Sequence, residues 1–353
     1  MPRDITLKDV AAHAGVSRTT ASNVITGSGR VSTETRERVH RSMRELGYVY
    51  NRGAASLRTL RTSTVGVVVT NIASPFFGEL LVGLEAALTD AGFLSLVVAT
   101  ADDAGRQEAL VAELREQRVA GLAIVPATGT SPAFLDGIRE ARIPHVLMTR
   151  FVEGADAPYV GPDDVAGGRL AAGHLLEHGA RTFAYVGGPA QMRSRAQRIE
   201  GMRSALTEHG VPPSSVVDLP SPSTGQGGLW AGERLLERGG LPEAIVCHSD
   251  SVAFGLYRAL RMRRRAGDVR VIGYDDVSTA ALWEPPLTSV ATHPELLGRA
   301  AAQQLVEQLV EGGGPSFTDD RLAALALPGE DERHRLYRPE LRIRRSCGCP
   351  DLP

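Results

Sequence analysis

The first 47 residues carry three short stretches with the apolar spacing of amphipathic helices. Thr6 and Ser17 are placed to cap the first two helices, and the third follows Ser32. Gly15 ends the first helix and Gly47 ends the third. The pattern predicts a small helical head whose first two helices form a helix-turn-helix. The apolar positions are Leu7, Val10, Ala11 and Ala14, then Ala21, Val24 and Ile25, then Val39, Met43 and Leu46.

From Val65 onward, short apolar runs alternate with helical stretches. Such runs are typical of parallel strands that are buried on both faces. They fall into two series, each about as long as one doubly wound domain. We therefore predict a small all-α helix-turn-helix head followed by an α/β core of two doubly wound lobes. The predicted strands are 65–69, 96–99, 122–125 and 146–148 in the first series, and 183–186, 244–247 and 269–272 in the second.

These patterns set the predicted boundaries. The head covers residues 1–48, and a polar linker with a conditional hinge helix covers 49–64. The core covers 65–346, and residues 347–353 form a tail. Within the core we assign about 65–160 and 291–315 to lobe 1, and about 161–290 and 316–346 to lobe 2.

Composition restricts the class of protein. No run of 18 apolar residues exists, so no transmembrane helix is expected. The N-terminal segment lacks the apolar core of a secretory signal, and three cysteines do not make a disulfide framework. These features predict a cytoplasmic protein with no membrane partner.

The charge is divided unevenly along the chain. Residues 1–64 hold eleven Lys and Arg against five Asp and Glu, whereas the remainder holds 28 against 36. A basic head on an acidic body indicates an anionic partner, with nucleic acid first and a membrane surface second. On the second helix, Arg18, Thr19, Ser22 and Asn23 share one polar stripe that could reach base edges in a major groove. The alternative is a plain three-helix bundle with a solvated face.

Several motifs resemble those of the lactose-repressor family of bacterial transcriptional regulators. They are TLKDVA at 6–11, AGVS at 14–17, VS at 31–32 and LGY at 46–48, then SPFF at 74–77, RVAGL at 118–122, VIGYDD at 271–276 and PPLTSV at 285–290. The resemblance spans nearly the whole chain and implies a DNA-binding head, a hinge helix and a core like that of periplasmic binding proteins. Two hinge positions depart from the family pattern: Tyr50 replaces a proline and Ala55 replaces an arginine.

The resemblance also implies site residues in the head and hinge. Leu57 matches the leucine that wedges into a base step from the minor groove, although an ordinary packing leucine is the alternative. The residues expected to contact DNA are Thr6, Lys8, Ser17, Arg18, Thr19, Thr20, Ser22, Asn23, Arg30, Asn51, Ala54 and Leu57.

An effector site is expected in the cleft between the lobes, at the carboxyl ends of the strands. Arg198 matches the family arginine that holds effector oxygens, and Asp275 follows a predicted strand. Asp163 is either a contact or a helix cap, and Phe76 and Phe77 either stack on the ligand or pack into the lobe. The predicted effector contacts are Phe76, Phe77, Asp163, Arg198, Ser249 and Asp275.

We therefore expect a repressor that binds operator DNA as a homodimer and responds to a small molecule, with a carbohydrate as the first candidate. A nucleobase or another metabolite as effector, or a solute-binding protein without DNA function, are the alternatives. Neither a phosphate-binding glycine motif nor a catalytic constellation occurs, so we expect no enzyme and no cofactor. Cys347 and Cys349 could bind a soft metal or form a strained disulfide, but two thiolates alone cannot complete a tetrahedral zinc site. We therefore expect no metal site and assign the tail no role.

Overall fold

The computed structural model describes residues 5–26, 28–48, 62–310, 319–328 and 333–349. The chain divides into two compact units, Met1–Thr62 and Ser63–Pro353. Each unit has its own hydrophobic core.

The first unit contains three helices, α1 (Leu7–His13), α2 (Arg18–Thr26) and α3 (Thr33–Leu46). Thr6 and Asp9 form a capping box at the start of α1, and Gly15 adopts a φ of 64° in the turn that follows. The hydroxyl of Ser17 accepts a hydrogen bond from the Thr20 amide and thereby caps α2. The buried core consists of small side chains, which let the helices approach closely; they are Val10, Ala11, Ala14, Ala21, Val24 and Val39.

Lobe 1 is built on a sheet of parallel strands in the order β2-β1-β3-β4-β5-β11. Helices α4 and α11 cover one face, and α5 and α6 cover the other. The elements are β1 (Thr64–Val69), α4 (Pro75–Asp90), β2 (Leu94–Ala99), α5 (Ala104–Glu116), β3 (Gly121–Ile124), α6 (Pro132–Glu140), β4 (His145–Met148) and β5 (Tyr159–Pro162). The chain returns later to add α11 (Pro294–Leu309), α12 (Asp320–Leu325) and β11 (His334–Tyr337).

Lobe 2 repeats this arrangement with strand order β7-β6-β8-β9-β10-β12, in which only the β10–β12 pair is antiparallel among the described strands. Helices α7 and α8 cover one face, and α9 and α10 cover the other. The elements are α7 (Asp164–Glu177), β6 (Phe183–Val186), α8 (Arg193–Glu208), β7 (Val217–Leu219), α9 (Gly225–Glu237), β8 (Ala244–Cys247), α10 (Asp250–Met262), β9 (Arg270–Asp275), β10 (Thr288–Ala291) and β12 (Glu340–Arg342).

The structure corrects two predicted boundaries. Residues 319–328 and 333–337, assigned to lobe 2 from the sequence, belong to lobe 1, because Leu322 packs into its core and β11 pairs with β5. Cys347, placed in the tail, is 1% exposed and packs in the core of lobe 2. The last described residues are therefore part of lobe 2 and continue its fold beyond β12.

In each of three helix pairs, the backbones cross so closely that only glycine fits at the contact. A Cβ atom built on Gly168 of α7 would overlap the carbonyl oxygen of Arg198 in α8. A Cβ on Gly201 of α8 would likewise overlap the carbonyl oxygen of Val165. The other two crossings use Gly83 and Gly298 between α4 and α11, and Gly228 and Gly255 between α9 and α10.

We expect Gly168→Ala to destabilise lobe 2 by roughly 1–3 kcal/mol, because the added methyl group must push α7 and α8 apart. Gly173→Ala is the matched control, since it lies in the same helix with no atom within 4 Å of its Cβ position. That change should instead stabilise the protein by about 0.5–1 kcal/mol through helix propensity. Urea unfolding curves measure both effects. Equal effects of the two substitutions would contradict the proposed close crossing.

Candidate functional site

A cavity of about 460 Å³ lies between the two lobes, at the carboxyl ends of their strands. This volume lies within the range of ~300–1,000 Å³ that is common for small-molecule sites. Lobe 1 and its crossovers contribute Thr70, Asn71, Ser74, Phe76, Phe77, Ala101, Asp102, Thr149, Arg150, Pro162 and Thr292. Lobe 2 contributes Pro189, Met192, Ser194, Arg198, Pro222, Ser223, Thr224, His248, Ser249 and Asp275.

A buried ion pair anchors the lobe 2 wall. Arg198 Nε donates to Asp164 Oδ1 over 2.7 Å, and the two residues are 7% and 3% exposed. Arg198 Nη1 donates to the carbonyl oxygen of His248 over 2.5 Å. The Tyr274 ring lies 3.6 Å from the guanidinium carbon, and its hydroxyl donates to the same Asp164 oxygen. Arg198 Nη2 has no hydrogen-bond partner among the described residues, so this nitrogen is available to a ligand.

The polar groups beside Arg198 have shifted pKa values. Burial raises the pKa of Asp275 well above its usual range, and Arg198 only partly opposes this effect. Burial lowers the pKa of His248, and the positive charge of Arg198 lowers it further. His248 is therefore neutral at pH 7, and Asp275 can act as a hydrogen-bond donor when protonated or as an acceptor when ionised.

On the lobe 1 wall, Arg150 is held by Asp102, with 2.7 Å between Arg150 Nη1 and Asp102 Oδ1. The amide and hydroxyl of Thr128 both donate to Asp102, which fixes this carboxylate in turn. Our sequence analysis missed this pair. Its members follow β2 and β4 directly, so the rule that ligands bind beyond the carboxyl ends of strands could have indicated them.

The backbone at four cleft residues is left-handed, although none of them is glycine. The φ angles are 55° at Ala101, 61° at Asp102, 60° at Thr149 and 103° at Asp275. Such conformations are uncommon for residues with side chains, and they are concentrated at functional sites. Ala101, Asp102 and Thr149 lie in loops that follow strands, Asp275 is the last residue of β9, and all four line the cavity.

The structure brings together five of the six predicted effector residues. Phe76, Phe77, Arg198, Ser249 and Asp275 all line the cavity. Phe77 is also part of the lobe 1 core, and its ring meets that of Phe76 edge to face at 5.1 Å.

The prediction that Asp163 contacts the effector is wrong, because Asp163 does not line the cavity. Its carboxylate instead accepts a hydrogen bond from the Ala166 amide and caps α7. Its neighbour Asp164 turns inward to Arg198. Asp250, the residue after Ser249, does not line the cavity either, and its carboxylate accepts hydrogen bonds from the Val277 amide and the Ser289 hydroxyl.

In the helical head, six of the nine predicted DNA contacts that the structure describes are exposed. Ser17, Arg18 and Thr19 are exposed at the start of α2, and Ser22 and Asn23 are half-buried one turn later. Thr20 is half-buried, and its hydroxyl lies 2.8 Å from that of Ser17. Thr6, Lys8 and Arg30 are exposed as well. The predicted hinge contacts Asn51, Ala54 and Leu57 lie outside the described residues.

Comparison with known proteins agrees with the division of the chain into a helical head and an α/β core. The family model for bacterial regulatory proteins of the lacI family matches residues 6–51, and the periplasmic binding protein-like domain matches 172–347. The transcriptional regulator CelR of Thermobifida fusca is 38% identical over 315 residues, 86% of this chain and 92% of that one. The ribose operon repressor of Escherichia coli K12 is 30% identical over 319 residues, 90% and 96% of the two chains. The chain belongs to the lacI family.

Solved structures support the same fold. A CelR–cellobiose complex superposes with a TM-score of 0.67 at 33% identity and covers 97% of this chain and 99% of that one. A lac repressor dimer bound to operator and an anti-inducer superposes with a TM-score of 0.81 at 24% identity, covering 98% and 99%. This lacI-family chain is therefore a DNA-binding transcriptional regulator with an effector-binding core. Its relatives are regulators rather than enzymes, and no helix among the described residues could span a membrane.

We expect Asp164→Ala to lower the free energy of unfolding by about 3–5 kcal/mol, because the charged Arg198 would remain buried without its partner. Asp163→Ala is the matched control, since it removes only a helix cap and should cost about 1 kcal/mol. The double substitution Asp164→Ala/Arg198→Met should cost less than the sum of its single changes. Denaturant unfolding measures these values, and equal costs at Asp163 and Asp164 would show that the ion pair does not stabilise lobe 2.

Proposed function

We propose that this regulator is a repressor that binds operator DNA through its head and is controlled by a carbohydrate in the cleft. The observation that carries the proposal is the set of polar groups on the two walls of the cleft: Arg198 and Asp275 on lobe 2, Arg150 and Asp102 on lobe 1. A solved relative binds cellobiose and another, at 27% identity, binds ribose. These relatives support the carbohydrate class.

The cleft chemistry suits a polyhydroxylated ring. Sugar hydroxyls both donate and accept hydrogen bonds, so they pair with the planar fork of Arg198 and with the Asp275 carboxyl group. Phe76 offers a ring face for the apolar C–H side of a sugar, and Ser249 offers a further hydroxyl. Because Asp164 and His248 already hold Arg198, a ligand loses little affinity to ordering that side chain.

In the head, we propose that α2 enters the major groove of operator DNA. Arg18 and Thr19 lead that helix, and Ser22 and Asn23 follow on the same stripe, where they would contact base edges. Lys8 and Arg30 would contact DNA phosphates. Thr6, Ser17 and Thr20, which lie at the starts of α1 and α2, would add further contacts to the DNA backbone. Asn51, Ala54 and the minor-groove wedge Leu57 remain part of this proposal on the family pattern alone.

A second copy of the chain would align two heads on a pseudo-palindromic operator. The apolar side chains of Leu94, Leu96 and Val97 on β2 and Val82 on α4 are between 39% and 65% exposed, a surface that a homodimer would bury. Effector binding between the lobes would change their closure and thereby the spacing of the heads. We place this activity in the cytoplasm, without enzymatic chemistry and with no cofactor needed for regulation.

The DNA contacts can be tested on operator sites selected from genomic fragments with the unmodified chain. We expect Arg18→Ala/Thr19→Ala to reduce the preference for operator over unrelated DNA by roughly 10- to 100-fold, the scale of one lost bidentate base contact. Arg38→Ala is the matched control, because it removes one positive charge from an exposed position on α3. This variant should keep the preference for operator over unrelated DNA. A competition assay measures the ratio, and an unchanged ratio in the double variant would remove α2 from the reading role.

The effector class can be tested by calorimetry of the full chain with cellobiose, glucose, ribose and a nucleobase. We expect a sugar to bind, and Asp275→Ala to weaken that binding by about tenfold or more, since a buried ligand hydroxyl left without its hydrogen-bond partner costs ~1–3 kcal/mol. Asp276→Ala is the matched control, because Asp276 does not line the cavity and instead accepts a hydrogen bond from Arg344. Binding of the nucleobase alone would overturn the carbohydrate assignment.

A further inference from the structure

Three metal-ligating side chains that the regulatory function does not use meet at the far end of lobe 2. Cys347 ends a short 3-10 helix, Cys349 follows two residues later, and His174 lies near the end of α7. One ligand atom from each lies within 4.8 Å of the other two. Cys349 Sγ and His174 Nε2 are 3.3 Å apart.

The fold holds these groups in place. Ser346 accepts a hydrogen bond from the Thr288 amide over 2.7 Å and donates to the Val271 carbonyl over 2.6 Å, which fixes the segment to β10 and β9. Gly348 then turns the chain with a φ of 75°, a conformation that favours glycine. The turn directs both sulfur atoms toward the imidazole of His174, which is itself 8% exposed.

The spacing suits a single tetrahedral ion. With Zn–S of ~2.3 Å and Zn–N of ~2.0–2.1 Å, tetrahedral angles place a sulfur and a nitrogen ligand about 3.6 Å apart. The observed 3.3 Å between Cys349 Sγ and His174 Nε2 needs only a small adjustment to reach this value. Two thiolates would also balance the charge of a divalent ion.

We propose that His174, Cys347 and Cys349 form a binding site for a thiophilic divalent metal ion, zinc in the first place. The ion would join the C-terminal segment to α7 and leave its fourth position to water or an external ligand. Binding releases the thiol protons as both sulfurs become thiolates. No fourth His, Cys, Asp or Glu of the described residues joins the cluster.

The site is separate from the effector cleft. His174 lies ten residues after Asp164 on α7, which corresponds to ~15 Å along a helix. None of the three ligands lines the cavity between the lobes. The ion would therefore stabilise lobe 2 without contacting effector, and a failure of the carbohydrate proposal would leave this inference unaffected.

The full chain, reduced and stripped with a chelator, should be titrated with cobalt(II) as a spectroscopic probe. We expect one ion per chain, with thiolate-to-cobalt charge-transfer absorption and the d–d bands of a tetrahedral site. Zinc should displace cobalt and raise the melting temperature of the protein. Absence of the charge-transfer band would overturn the proposal. An intact mass of the purified, unreduced protein that is two hydrogen atoms below that of the reduced chain would also overturn it, because it would show a disulfide in place of the metal.

Substitutions identify the ligands. We expect Cys349→Ser and His174→Gln each to weaken cobalt binding at least ~100-fold. His178→Gln is the matched control, because the exposed His178 ring packs against that of His174, with 4.3 Å between centroids, yet offers no atom to the cluster. Cys349 is half-exposed, so its variant keeps the test valid if changes at buried Cys347 impair folding. Equal affinity in the His174 and His178 variants would overturn the assignment.

Discussion

The backbone contact between α7 and α8 determines the geometry of the effector cleft. Gly168 and Gly201 let the two helices touch, and the carbonyl group that meets Gly168 belongs to Arg198 itself. This close crossing sets Arg198 beside Asp164, so that each buried charge finds its partner. A wider crossing would separate the charges and leave both buried without compensation, which is far more costly than the loss of a few apolar contacts.

The polar groups of the cleft are positioned by chains of hydrogen bonds, one on each wall. Asp164 orients Arg198 and Arg198 binds the backbone at His248. Arg198 lines the cavity, and its Nη2 has no hydrogen-bond partner among the described residues. On the opposite wall, Thr128 fixes Asp102, and Asp102 holds Arg150. Each wall therefore presents hydrogen-bonding groups that the protein has already positioned, and such preorganisation favours affinity because little side-chain entropy is lost on binding.

Both lobes are assembled from distant parts of the chain. The chain crosses between them after β5, after β10 and after β11 in the described residues, so each sheet ends with a strand contributed by the C-terminal part. This arrangement makes the last described residues a structural part of lobe 2. It also brings Cys347 and Cys349 next to His174, more than 170 residues earlier in the sequence.

The sequence by itself determined the helical head, seven of the twelve described strands and five of the residues that line the cleft. Buried parallel strands are continuous apolar runs, and loops after such strands line a cleft, so both leave a local signal. The edge strands β7, β11 and β12 leave no such signal, because they are short and partly exposed. Strands β5 and β10 are buried but short, and Gly161, Pro162, Thr288 and Ser289 interrupt their apolar runs. Only the tertiary structure decided that Asp163 caps a helix while Asp164 binds Arg198, since adjacent carboxylates are distinguished by their direction in space. It alone supplied the third ligand beside the two cysteines, because that proximity arises from packing and not from spacing.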